Sequence, residues 1–147
     1  MYKRILLAYD VSESGQKALF ERRGLAGWGE ASVHLIAVMP PPAAFIGGEG
    51  GVYDLGLEEQ ERKEYQAILD DGLKKLRDVG AGENVSGELV VGEAVGEIAA
   101  CAKRIDADLI VVGHKHLDSW AARWWRGSVS KSLIEHAPCN VLVVITP

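Results

Sequence analysis

The sequence predicts an α/β fold, with a five-stranded parallel doubly wound sheet and helices on both of its faces. Short apolar runs alternate along the 147 residues with longer amphipathic segments. The apolar runs are continuous, which is typical of strands covered on both faces. No internal repeat or second domain is visible, so we expect one domain over residues 1–147. In such a sheet, ligands bind beyond the carboxyl ends of the strands.

The first half of the chain is predicted to hold two strands and two helices. Arg4 to Tyr9 is a continuous apolar run, and the cap residues after it favour a helix from Gln16 to Trp28 that glycines end. Ser32 to Met39 is a second buried strand, which three prolines end. The glycine-rich residues 43–57 show no period and predict a mobile loop. Apolar residues along one face of Glu58 to Val79 indicate an amphipathic helix that packs on the sheet.

The second half repeats the alternation of strand and helix. Glu88 to Val91 is predicted to be the third strand, and Ala94 to Ile105 carries apolar residues at helical spacing. Asp108 to Val112 is the clearest strand signal. Ser128 to His136 predicts a last helix, which a proline ends, and Asn140 to Ile145 predicts a last strand. Five strands and four helices therefore alternate.

Composition and charge argue against several classes of function. The chain is 48% hydrophobic and 25% charged, and its formal net charge is −5. A duplex-binding protein needs a basic stripe that neutralises phosphates, so we expect no nucleic-acid partner. No apolar run approaches the roughly 20 residues that a membrane-spanning helix needs, and the N-terminal residues lack the pattern of a secretory signal. We therefore expect a cytoplasmic protein with no membrane partner.

Glycine and serine residues around the fourth strand and the last helix suggest an anion site. Gly113 is predicted to end the strand, and Gly127-Ser128-Val129-Ser130 opens the helix. Free amides in a first helical turn and the helix dipole attract phosphate there. The same residues also fit a plain turn and helix cap. Both interpretations stay open on these residues alone.

Neither a metal site nor a catalytic residue is predicted. Cys101 and Cys139 are flanked by apolar residues and are expected to be small core hydrophobes. The four histidines are scattered along the chain: His34, His114, His116 and His136. His114 and His116 are close together in the sequence, but two imidazoles in one loop do not complete a tetrahedral zinc site. No Ser-His-Asp order, nucleophile elbow or catalytic carboxylate pair stands out.

Three tryptophans lie in the loop before the last helix: Trp120, Trp124 and Trp125. Large exposed aromatic residues tend to mark binding surfaces, so the segment is either a contact patch for a protein partner or a lid. The alternative is a loop that packs on its own domain.

Taken in order, these features resemble the universal stress protein family. The matching pieces are the first strand with Asp10 and Ser12 after it, the strand LIAV ending at Val38, the run ADLIVVG, the turn GSVS and the ending HAPCNVLVV. The resemblance covers nearly the full length. It implies a Rossmann-like, adenine nucleotide alpha hydrolase-like fold and a homodimeric regulatory role in the stress response rather than an enzyme, with slow ATP hydrolysis left open.

Many members of that family bind ATP or AMP through Gly, two residues, Gly, nine residues, Gly and then Ser or Thr. Gly113 matches the first glycine, and Gly127-Ser128 match the last pair. His116 stands where the second glycine is expected, and ten residues replace nine. Three alternatives follow: a nucleotide-binding module, a dimeric protein-interaction module that has lost the nucleotide, and an adenylyl-transfer enzyme.

The resemblance implies a nucleotide site for ATP or AMP, with Mg²⁺ accompanying a triphosphate. Asp10 would lie near the ribose and phosphates, and Val38 would present its backbone to the adenine edge. The full set lies after three strands and at the start of the last helix: Ala8, Tyr9, Asp10, Val38, Val112, Gly113, Lys115, His116, Gly127, Ser128, Val129 and Ser130.

The last strand predicts the dimer contact. Its residues Val141, Leu142, Val143 and Val144 are apolar. If this strand lies at a sheet edge, its unpaired backbone groups can pair with a second copy around a two-fold axis.

Overall fold

The computed structural model describes residues 2–9, 30–41, 55–78, 84–115 and 129–146. Several predicted features lie outside these ranges: the helix over 16–28, residues 43–54 of the predicted loop, the tryptophan segment 120–126, and the site residues Asp10, His116, Gly127 and Ser128. The described strands are β1 (Arg4–Ala8), β2 (Ser32–Met39), β3 (Val85–Val91), β4 (Leu109–Lys115) and β5 (Asn140–Thr146). The described helices are α1 (Leu55–Asp78), α2 (Ala94–Arg104) and α3 (Val129–His136).

The five described strands form one parallel sheet in the order β3-β2-β1-β4-β5. The chain therefore moves outward from β1 to β3, returns across β1, and then moves outward on the other side through β4 and β5. This is a doubly wound sheet whose switch point lies between β1 and β4. The predicted fold class is confirmed.

Residues of β1 alternate between two apolar cores. Ile5 and Leu7 face the core that Leu69 and Leu76 of α1 complete. Leu6 faces the opposite core, which is covered by α2 and α3. Because both faces are covered, each of these positions must be apolar, which explains the continuous runs in the sequence.

The cover of the second face comes from α2 and α3. Ile98 of α2 and Leu133 of α3 are buried in the same core cluster as Ile110 of β4. Helices therefore lie on both faces, as predicted. Among the helices described, none is both long and apolar enough to cross a lipid bilayer.

Two strands and one helix extend three residues beyond their predicted bounds, and β5 runs one residue past the predicted Ile145. β4 continues to Lys115, with Gly113 paired to Val144 and Lys115 paired to Thr146, so the prediction that Gly113 ends the strand is wrong. β3 begins at Val85, before the predicted Glu88. α1 begins at Leu55, inside the predicted loop. For the strands, the reason is that backbone pairing with a neighbouring strand needs no apolar side chain, whereas the sequence pattern reports only burial.

Candidate functional site

The carboxyl ends of β1, β2 and β4 bring several of the predicted site residues to one edge of the sheet. Ala8 pairs with Ile36 of β2 and with Val112 of β4. β2 and β4 both run on beyond that level, β2 through Val38 and β4 through Gly113 to Lys115. Because this edge lies at the switch point, it is where a doubly wound sheet opens a crevice for ligands.

Tyr9 contributes its side chain to the core rather than to the crevice. Its backbone N–H donates to the carbonyl oxygen of Ile36 at 2.8 Å, and its side chain packs in the α1-covered core. Burial, together with the negative charge of Asp71, raises the pKa of Tyr9 to about 12. The phenol is therefore neutral at physiological pH, and the side chain packs in the core.

Ala8, Val38 and Val112 also direct their side chains away from the edge. Ala8 and Val38 are half-buried and pack against the core under α2 and α3, to which the buried Val112 belongs. A ligand at these strand ends would therefore meet backbone groups and the shape of the edge rather than the three side chains. The expectation that Val38 would act through its backbone stays a prediction.

The last helix begins at Val129, directly after the Gly127-Ser128 pair in the sequence. α3 runs back from the carboxyl edge towards the start of β5, so its N-terminus lies at the same edge as the ends of β1 and β4. Val129 and Ser130 are the first two residues of its first turn. The first four amide N–H groups of a helix lack partners within the helix and can donate hydrogen bonds to an anion.

A second polar cluster lies elsewhere, on the sheet face that α2 covers. His34 of β2 contacts Glu88 of β3, with 3.1 Å between Nε2 and Oε1, and its Nδ1 lies 2.7 Å from the Ser86 hydroxyl. The Cys101 thiol of α2 donates to the same Glu88 oxygen at 3.1 Å. The Arg104 guanidinium also donates to that oxygen and lies 3.4 Å from the Cys101 sulfur.

Sequence reasoning missed this cluster because its members come from three elements. One signal was available: Ser86 and Glu88 alternate along β3 and so share the face on which His34 lies. Cys101 is buried, as predicted, but its thiol is engaged with a carboxylate and does not act as a plain hydrophobe. Cys139 is half-buried against the same core.

Charges in the cluster move two pKa values in opposite directions. Burial raises the pKa of Glu88, but hydrogen bonds from Cys101 and His34 and the charge of Arg104 outweigh it, so the pKa lies below its ordinary value of 4.5. Burial and the neighbouring Glu88 carboxylate raise the pKa of Cys101 to about 12. The resting cluster therefore holds a carboxylate and a protonated thiol.

Glu88→Gln is expected to lower the free energy of unfolding at pH 7 by about 1 kcal/mol, because a charged acceptor is replaced by a weaker neutral one. A depressed folded-state pKa stabilises the fold above the ordinary value of 4.5, and that contribution is lost as pH falls through the folded pKa. The difference in the free energy of unfolding between variant and wild type should therefore shrink in acid. Urea unfolding at pH 7 and at about pH 3 measures it. Glu135→Gln, on the exposed side of α3, is the control. An undiminished difference in acid would contradict the prediction.

Comparison with known proteins agrees with this fold. The model of the universal stress protein family matches residues 1–144. A Staphylococcus aureus protein that carries the name of a universal stress protein is 32% identical over 146 residues, which is 99% of this chain and 85% of that protein. Relatives of this kind match nearly the whole of this chain.

Two solved structures share the architecture. A universal stress protein in complex with cAMP superposes with a TM-score of 0.70 at 23% identity, covering 99% of this chain and 98% of that one. The universal stress protein of Archaeoglobus fulgidus in complex with dAMP superposes with a TM-score of 0.64 at 23% identity, covering 97% of this chain and 98% of that one. At these identities the likeness shows the fold. With the family match over residues 1–144, it follows that the chain belongs to the universal stress protein family.

Proposed function

We propose that this chain is a cytoplasmic regulatory protein of the stress response that binds an adenine nucleotide, ATP or AMP, at the carboxyl edge of the sheet between β1 and β4. The observation that carries the proposal is the start of α3 at Val129, directly after Gly127-Ser128 and on the chain that leaves β4, one of the two strands of the switch point. Family members of the same fold have been solved with cAMP and with dAMP, which are adenine mononucleotides.

The phosphates would meet the first turn of α3. Its amides and the positive end of the helix dipole favour negative charge, and the preceding glycine has no side chain to block close approach. Lys115, at the end of β4, would add a cationic group to the approach, and His116 after it would add an imidazole. Magnesium would accompany a triphosphate.

The nucleoside would lie along the strand ends. Val38 would offer backbone groups to the adenine edge, and Asp10 would receive the ribose. Since the side chains of Tyr9, Val38 and Val112 pack into the two cores, they would hold the strand ends rigid rather than touch the base with polar atoms. We assign no catalytic residue, so the nucleotide would act as a signal that a partner reads at the segment between Gly113 and Gly127.

Equilibrium binding tests this function. Purified protein should bind ATP or AMP saturably at micromolar concentration in isothermal titration calorimetry, with and without Mg²⁺, and Gly127→Ala should weaken the affinity at least about tenfold, since its methyl group meets the phosphates. Gly96→Ala, the same replacement at an exposed glycine of α2, is the matched control and should bind as wild type. Steady phosphate release above a no-protein control would instead indicate an enzyme.

One sequence feature favours a second candidate, a protein-interaction module that has lost the nucleotide. His116 replaces a motif glycine, and ten residues with three tryptophans lie between His116 and Gly127. The partner would then contact Trp120, Trp124 and Trp125. Absence of binding by ATP, AMP and cAMP at millimolar concentration would contradict the first candidate and support this one.

A homodimer is the oligomer we propose, formed through β5. This strand lies at one edge of the sheet, so within the described part of the chain its outer backbone groups have no neighbouring strand. A second copy can supply that neighbour around a two-fold axis. Val143→Glu should weaken the dimer in sedimentation equilibrium while circular dichroism still reports a folded chain. An unchanged dimer would overturn this contact.

A further inference from the structure

The cluster of His34, Glu88 and Cys101 is separate from the proposed nucleotide edge. His34 is the third residue of β2, five positions before its carboxyl end at Met39, which is about 16 Å along a strand. Cys101 lies in the last turn of α2, whose C-terminal end carries partial negative charge. The three side chains combine nitrogen, oxygen and sulfur donors on one side of the sheet.

Their geometry suits a small tetrahedral cation. One ring nitrogen of His34, one carboxylate oxygen of Glu88 and the Cys101 sulfur all lie within 4.8 Å of one another. Oε1 is 3.1 Å from each of the other two. Zinc bonds of about 2.0–2.3 Å place neighbouring ligand atoms of a tetrahedron about 3.3–3.6 Å apart. At these two close pairs an ion therefore needs outward shifts of only a few tenths of an ångström.

Ser86 supports the histidine as a ligand. In the resting cluster Nε2 lies 3.1 Å from the Glu88 carboxylate, and Nδ1 lies 2.7 Å from the Ser86 hydroxyl, which can donate a hydrogen bond to it. A hydroxyl also accepts a hydrogen bond, so the ring can place its hydrogen on Nδ1 and leave Nε2 to a metal without losing Ser86. Metal-bound histidines almost always have such an outer partner.

We propose that His34, Glu88 and Cys101 bind one zinc-class divalent cation, with water as the fourth ligand. A mixed nitrogen, oxygen and sulfur set selects zinc-like ions over Mg²⁺ and Ca²⁺, which prefer oxygen ligands. On binding, the sulfur–metal bond replaces the S–H bond and the proton leaves to solvent. The site joins β2, β3 and α2, and it does not depend on whether a nucleotide binds.

Arg104 competes with the cation in this arrangement. Its guanidinium donates to the ligand oxygen of Glu88, and its side chain is 58% exposed, so it can move out to solvent when an ion enters. Removing its positive charge should therefore raise the affinity for the metal, by about tenfold. A cluster that served only to stabilise the fold would show no such gain.

Cobalt and zinc titrations of the full chain test the site. Metal-stripped protein should take up one equivalent of Co²⁺ with a thiolate-to-cobalt charge-transfer band in the near ultraviolet, and Zn²⁺ should displace it. Cys101→Ser should abolish the band, whereas the matched variant Cys139→Ser should keep it. Arg104→Ala should bind Zn²⁺ about tenfold more tightly in competition with a chromophoric chelator, and Ser86→Ala about tenfold less tightly.

Three results would overturn the proposal. They are a charge-transfer band that survives Cys101→Ser, no uptake of Co²⁺ or Zn²⁺ by wild type at micromolar protein, or an Arg104→Ala variant that binds zinc no better than wild type. Circular dichroism confirms that each variant is folded before titration. Calorimetry of nucleotide binding to the metal-free protein tests the proposed function independently, so failure of the metal site and failure of the nucleotide site can be told apart.

Discussion

Leu133→Ala is expected to lower the free energy of unfolding by about 3 kcal/mol. Leu133 is 0% exposed and belongs to the core between α2, α3 and β4. Among the side chains described in α3, only that of Leu133 is buried. Truncation removes this anchor and leaves a cavity that a short helix of eight residues cannot close without moving. Chemical denaturation monitored by circular dichroism measures the loss.

The neighbouring Ile134 supplies the matched control. Its side chain is 63% exposed, so Ile134→Ala removes a similar amount of hydrocarbon from solvent rather than from the core. We expect a change within about 0.5 kcal/mol. Equal losses in the two variants would contradict the placement of α3 on the sheet.

The Leu133 variant also bears on the proposed nucleotide site. The first turn of α3 is held at the carboxyl edge through this one described anchor. Below the onset of unfolding, Leu133→Ala should therefore weaken ATP or AMP binding, whereas Ile134→Ala should leave it unchanged. Calorimetry on both folded variants measures the difference.

Gly72→Val is expected to lower the free energy of unfolding by about 3 kcal/mol, at the upper end for overpacking. A Cβ atom at Gly72 would lie 2.8 Å from two carbons of the Tyr9 ring and 2.9 Å from Leu35 Cδ2. Leu35 is fully buried and Tyr9 nearly so, so neither side chain can yield into open space. In an exposed helix position the loss of a glycine would instead favour the helix.

Lys74→Val, on the exposed side of the same helix, separates crowding from helix propensity. It introduces the same β-branched side chain two residues away at an exposed position. The expected cost is at most about 0.7 kcal/mol, the range of helix propensities. Urea unfolding of both variants provides the comparison, and a Gly72→Val variant as stable as Lys74→Val would contradict the close packing of α1 on Tyr9.

Much of the candidate nucleotide edge could be predicted from the sequence. Ala8, Val38 and Val112 follow from strand boundaries, because parallel strands bring their carboxyl ends to one edge. The extension of β4 past Gly113 could not be predicted in this way. Residues 113–115 owe their strand conformation to pairing with β5, a partner about 30 residues away in the chain.

The apolar runs and the helical periods were sufficient to predict the doubly wound fold. A strand that is buried on two faces requires apolar residues at every position, whichever strands lie beside it. The meeting of His34, Glu88 and Cys101 was accessible only in three dimensions. It depends on the register that sets His34 beside Ser86 and on the position of α2 across β3. Alternation along β3 puts Ser86 and Glu88 on one face, but no local pattern in the chain shows that His34 and Cys101 meet them there, because contacts between distant residues arise from packing.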